Sequence, residues 1–144
     1  MIPTQQSVIQ VDIANAGAQI FSGACRQVVA PAAFGEICIM PRHAPLLTKL
    51  YPGEVRMVTD KGVPDALYIS GGFMEVQPFV VTILADSSLR AEEIDREAAE
   101  EAMRQAEEVL QRSHLFRERD AARIEFAKAL AQLRLLERVR SDKY

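Results

Sequence analysis

The sequence predicts an α+β chain: an N-terminal antiparallel β-sandwich over residues 1–86, then a C-terminal antiparallel α-helical hairpin over residues 87–144. Three observations predict it. All seven glycines and all seven prolines precede Phe79, so the end of the chain lacks the residues that punctuate turns. Residues 1–86 carry 5 basic and 7 acidic side chains whereas residues 87–144 carry 12 and 13, so charge density changes at the same boundary. Before it, apolar residues gather in short β-branched runs; after it, they recur every three or four positions.

The runs Val8 to Ile13, Gln19 to Ser22, Arg26 to Ala30, Glu36 to Met40, Glu54 to Thr59, Ala66 to Ser70, Phe73 to Gln77 and Val80 to Ala85 read as strands separated by turn residues. Val55, Met57 and Thr59 alternate with Glu54, Arg56 and Val58, and Asp60-Lys61-Gly62 follows as a hairpin turn. Short connections predict antiparallel pairing throughout. Gly71-Gly72 interrupts what would otherwise be one strand, which predicts a bend with close backbone approach. Cys25 and Cys38 follow strand patterns and are expected as small buried hydrophobes.

From Ala91 to Leu110, the positions Ile94, Ala98, Ala102, Ala106 and Leu110 recur every four residues and form an alanine-rich helical seam. From Ala121 to Val139, the positions Ala122, Phe126, Ala129, Leu133 and Leu136 form a bulkier one. Small residues on one helix would admit large ones from the other. Ala91 to Gln111 holds 8 acidic and 2 basic residues, and His114 to Tyr144 holds 5 acidic and 8 basic, so the two helices also attract. Glu92, Glu93 and Asp95 suit the positive end of the first helix, and Arg138, Arg140 and Lys143 the negative end of the second. The link from Arg112 to Asp120 contains no Gly or Pro, so its helix stop and start are weakly encoded, and an opened arrangement competes with the hairpin.

The composition narrows the function. A chain of 144 residues, 49% hydrophobic, is long enough to build a core without disulfides or metal. A net charge of -3 argues against a nucleic-acid binder. Two cysteines without Cys-x-x-Cys spacing fit a reducing compartment and no metal site. Met1 to Ser7 contains neither a basic region nor a signal-length apolar run, so no targeting segment is expected, and no stretch reaches the roughly 20 apolar residues of a membrane span.

Chemistry-bearing motifs are sparse. No Gly-x-Gly-x-x-Gly, phosphate-binding loop, His-Glu-x-x-His or Gly-x-Ser-x-Gly is present. His43, in Met40-Pro41-Arg42-His43-Ala44-Pro45, could act as a general base with Glu36, but a loop histidine held by hydrogen bonds is the simpler reading. His114 is expected to be solvated in the interhelical turn. The acidic cluster from Glu92 to Glu101 lacks a cation-binding loop and reads as a solvated helix face. What remains is an interaction protein, in which a rigid sheet domain presents loops beside a helical pair.

Gly35-Glu36-Ile37-Cys38-Ile39-Met40-Pro41-Arg42-His43-Ala44-Pro45-Leu46-Leu47-Thr48 resembles the signature segment of the epsilon subunits of bacterial rotary ATP synthases. Pro52 to Arg56, Ser70 to Pro78, Val81 to Asp86, Arg90 to Asp95 and Ala127 to Arg134 continue that resemblance in order along nearly the whole chain. It implies a noncatalytic rotor subunit, peripheral on the cytoplasmic face of the bacterial inner membrane and touching the membrane only through its complex. The implied partners are the gamma subunit and the c-subunit ring, with the alpha and beta subunits joining when extended helices inhibit ATP hydrolysis. By the same resemblance, Gly35, Glu36, Arg42 and His43 would face the c ring, one face of the sandwich would face gamma, and Ser113 would approach a beta subunit. Cys38 and Arg42 stand where the family commonly has Gly. The nucleotide-binding pattern of some members appears here as Ile94-Asp95-Arg96-Glu97-Ala98-Ala99, with Ala98 in place of the phosphate-pairing arginine, so no cofactor is expected.

Overall fold

The structure is a computed structural model that describes residues 8–142; Met1 to Ser7 and Lys143, which entered the sequence expectations above, lie outside the described residues. It contains two compact units that divide between Ser88 and Leu89.

The first unit is built from strands β1 (Ile9–Ala14), β2 (Gln19–Ala32), β3 (Gly35–Ile39), β4 (Leu46–Leu50), β5 (Gly53–Thr59), β6 (Pro64–Ile69), β7 (Gly72–Val76), β8 (Val80–Ala85) and the two-residue β9 (Ser88–Leu89). Hydrogen bonding runs β1-β8-β7-β4-β2-β5-β6-β9, with β3 on β2 and β1 also on β2. The 14-residue β2 pairs with β1 through Gln19 to Cys25, then with β5 and β3 through its later residues, and its register shifts between Cys25 and Gln27. That irregularity lets one strand serve both layers of the sandwich. The sequence pattern had divided it in two because Gly23 interrupts the run; the backbone continues through it.

Alternation places Ile9, Val11 and Ile13 of β1, Met74 and Val76 of β7, and Val81 and Ile83 of β8 inside, where they join Val28, Val55, Met57, Leu67 and Ile69 in a single core. The β5–β6 hairpin forms around Asp60-Lys61-Gly62 as its alternation predicts, with Gly62 at φ 80. Two departures from expectation are informative. β1 and β8 pair in parallel, because β8 returns from a distant part of the chain and no short connection constrains its direction. β4 was not legible as a strand: Leu46 and Leu47 are both exposed, so its period-two pattern is hidden.

Gly72 has φ 145, and a Cβ there would lie 2.1 Å from the Leu84 carbonyl oxygen, which is the close approach that the paired glycines predict. Cys25 is buried, whereas Cys38 is exposed, contrary to expectation. Ile37 and Ile39 take the inward positions of β3, so strand alternation turns Cys38 outward with Glu36.

The second unit begins with a short 3-10 turn, Ala91–Glu93, in which Glu93 accepts the Arg90 backbone N–H at 3.0 Å. Helix α1 then spans Arg96–Arg112 and α2 spans Phe116–Asp142. The first helix therefore starts five residues later than the apolar period suggests, because the Asp95 carboxylate accepts the Ala98 N–H at 3.1 Å and caps it. The pair is antiparallel. Its seam buries Ala99 and Ala106 on α1 and Ala122 and Ala129 on α2, while Phe126, Leu133 and Leu136 are only half-buried. The expected small-against-large seam is thus a small-against-small one at its centre, and alanine contacts let the helix axes approach closely.

Candidate docking surfaces

At one end of the sandwich, Ala33 and Phe34 turn β2 into β3 and leave the Phe34 ring fully exposed at the tip. Gly35 follows at φ 118, with open space around it. Glu36, the next residue, receives two hydrogen bonds from the Arg56 guanidinium, at 2.5 and 3.1 Å. Arg56 also reaches Glu54, which is only 7% exposed, at 3.5 Å. Its hydrogen bond to Glu36 raises the Arg56 pKa above its ordinary value against the opposing effect of burial. The Glu36 carboxylate is therefore held by β5 rather than left to swing with its own strand.

The expected ring-facing residues do not form one loop. β3 separates Gly35 and Glu36 from Arg42 and His43 by roughly 13 Å of extended chain. Beyond its far end, the His43 N–H donates to the Met40 carbonyl at 3.1 Å, and the Arg42 N–H donates to the Pro78 carbonyl at 2.7 Å. Those bonds tie the 40–45 loop to the turn between β7 and β8. The His43 Nδ1 lies 2.7 Å from the Ala44 carbonyl oxygen, the loop-held role expected of it. A catalytic pairing of His43 with Glu36 is not assembled.

Cross-strand register defines a third surface. Leu47 pairs with Glu75, Lys49 with Phe73, and Phe73 with Leu84, so these residues share the outer face of the β4-β7-β8 layer. Leu47, Phe73 and Leu84 are all more than half exposed, which makes this face unusually apolar at its centre. Sequence reasoning passed over them because strand residues are ordinarily read for their buried partners; the signal was a large apolar residue at one outward position of each strand.

In the helical unit, the α1–α2 link is closed by side chains. Ser113 donates to Glu118 at 2.5 Å and accepts the Leu115 N–H at 3.2 Å, while Arg119 donates to the carbonyls of Leu110 and, at 3.2 Å, Ser113. The stop that the sequence lacked as a glycine is supplied by an arginine of the following helix. Leu115 and Phe116 stand exposed at this turn. Around the nucleotide-pattern residues, Asp95 is occupied as the α1 cap, Ala98 is exposed, and Arg96 pairs with Glu137 at 3.1 Å rather than standing in for the absent arginine.

A family model described as the beta-sandwich domain of the ATP synthase delta/epsilon chain matches residues 8–91. The chain is 49% identical to the ATP synthase epsilon chain of Alkalilimnicola ehrlichii, over 93% of its own length and 96% of that protein's. The corresponding protein of Nitrosococcus oceani is 48% identical, over 92% of this chain and 94% of its own. This chain belongs to the ATP synthase epsilon chain family. Members of the epsilon family are noncatalytic subunits of the synthase. A chain of the Euglena gracilis mitochondrial ATP synthase shares its fold at a TM-score of 0.78 and 23% identity, with 92% of this chain and 81% of that one aligned. The epsilon sandwich match spans all three of its surfaces described above, and the relatives' alignments continue into the helical unit.

Proposed function

We propose that this chain is a rotor subunit in the central stalk of a proton-translocating ATP synthase, where it binds gamma, rests on the c-subunit ring and transmits rotation between them. The observation that carries this reading is the likeness to named epsilon chains along almost the entire length of both partners. Solved chains of the same fold come from an OSCP/F1/c-ring assembly in Euglena and from a central stalk and c ring in Tetrahymena, which supports the same partners. The outer β4-β7-β8 face, with Leu47, Phe73 and Leu84, is suited to gamma, since an apolar patch framed by Lys49 and Glu75 buries well against a helical stalk. Gly35, Glu36, Arg42 and His43 would meet the c ring from the two ends of β3. The subunit would lie peripherally at the cytoplasmic face of the bacterial inner membrane; no helix among the described residues is long and apolar enough to cross one.

The helical unit would regulate. Its two helices would open, extend toward the alpha and beta subunits and inhibit ATP hydrolysis, with Ser113 and the exposed turn beside it meeting a beta subunit. A second reading, in which the helices stay closed and the subunit only couples rotation, is favoured by the Arg119 bonds across the link. ATP hydrolysis by the cognate catalytic head with gamma separates the two when measured alone, with the full chain and with residues 1–86, binding being checked in each case. Inhibition by the full chain alone assigns regulation to the helices. Binding without any change in rate supports coupling alone, and failure to bind overturns the proposed role.

A further inference from the structure

We propose that Arg42 is a specificity-determining contact, whose guanidinium meets a carboxylate on the protein surface that receives this end of the sandwich. The inference rests on the docking reading above and names the chemistry of its partner. Arg42 has φ 70, in the left-handed region that residues other than Gly, Asn and Asp seldom occupy. The loop imposes it: the Arg42 N–H is committed to the Pro78 carbonyl at 2.7 Å, and the next N–H, of His43, to Met40. Glycine would take this backbone without strain, so an arginine here keeps a side chain at the expense of conformational energy.

That side chain has no internal task. Arg26 donates to the Asp60 carbonyl, Arg56 grips Glu36, Arg96 pairs with Glu137 and Arg119 closes the helical link. Arg42 is exposed and makes no side-chain hydrogen bond or ion pair among the described residues. Neither its own segment, Met40 to Leu47, nor the adjoining turn, Gln77 to Val80, contains an acidic residue. Met40, Leu46, Leu47 and Phe79, by contrast, are exposed apolar residues of those two segments. A surface of this composition is driven to be covered, and a guanidinium caught beneath the cover requires an acceptor that only the partner can supply. A carboxylate matches it with two parallel hydrogen bonds. An anionic membrane fits less well, since lipid recognition ordinarily takes a cluster of about 4–8 basic side chains and this loop offers one arginine.

The test uses the purified synthase, stripped of this subunit and reconstituted with variants of the full chain. Arg42→Gly and Arg42→Ala are expected to dissociate about fivefold faster at low ionic strength, with the difference fading toward about 0.5 M salt as exposed charges are screened. Arg42→Lys should recover part of the loss. The melting temperature of isolated Arg42→Gly is expected to rise by about 2 °C as strain is released, which separates lost contact from lost fold. Retention of Arg42→Gly equal to wild type, while a photoreactive side chain at Ala44 still captures a synthase subunit, overturns the role of Arg42 alone. Absence of any capture from Ala44 overturns the docking reading and this proposal with it. Arg42-dependent binding of the isolated chain to phosphatidylserine-containing vesicles, in place of the salt-sensitive retention, would assign the contact to a lipid headgroup and overturn the protein carboxylate.

Discussion

Two cysteines that both follow strand patterns end in opposite environments. Cys25 has no exposed surface, and burial, reinforced by Asp60 and Asp65, pushes its thiol up to about 11 from 9.0. Cys38 faces solvent from β3. In native buffer near pH 8, a thiol reagent should therefore modify one cysteine per chain, and Cys25 should react only after unfolding. Equal rates at both sites would mean that the core around Cys25 is open. The same shift has a sign for stability: the unfolded chain releases the Cys25 proton from about pH 9 upward while the folded chain retains it, so stability falls as pH rises through that range. Glycines divide similarly. Gly35→Ala meets open space, so its loss is the strain of a Cβ at φ 118, about 1–3 kcal/mol. Gly72→Ala forces a Cβ against the Leu84 carbonyl and should lose more than about 3 kcal/mol, read by urea denaturation.

The elements show why some were legible and others not. β1, β7 and β8 keep one inward apolar face and alternate cleanly, and their boundaries fall within a residue of the pattern. β4 breaks the rule because Leu47, at an outward position, is apolar as well, which is the same property that makes its outer face a docking candidate. The helices were legible as periods, but their ends were not. Asp95, and not the first apolar residue, starts α1, and Arg119 reaches backward from α2 to stop it. Arg119→Ala should leave the Leu110 and Ser113 carbonyls without their guanidinium donor and loosen the last turn of α1. Hydrogen exchange at the Ser113 amide, bonded to Val109 at 2.9 Å, should then quicken about tenfold, while Ala99 near the start of the helix stays protected. Unchanged exchange at Ser113 would show that the arginine does not fasten the link.

For the whole molecule, the division between Ser88 and Leu89 makes a boundary test specific. A chain ending at Asp86 is expected to fold, because its core residues all lie before that point. It loses the Ser70 N–H bond to Ser87 at 3.1 Å and the 2.7 Å bond between the two hydroxyls. A chain ending at Ser88 restores both and should be more stable by about 1–2 kcal/mol in denaturant titration. Equal stability would mean that those bonds are replaced by water without loss.

Local periodicity, turn chemistry and charge density are written along the chain, and they were enough to divide it into a sheet unit and a helical unit; the segment from Gly35 to Thr48 stood out by its resemblance to epsilon subunits. That Val55 and Met57 share one face of a strand, and that Gly71-Gly72 brings two backbones together, followed from short-range rules acting on neighbours in sequence. Contacts between distant segments had no such trace. The parallel β1–β8 pairing, the grip of Arg56 on Glu36 across 20 positions, the separation of Gly35 from Arg42 by β3 and the outward turn of Cys38 depend on how strands meet after folding. Arg42 shows both sides: its identity is a matter of sequence, but the left-handed backbone that makes an arginine there informative arises only when its N–H meets Pro78.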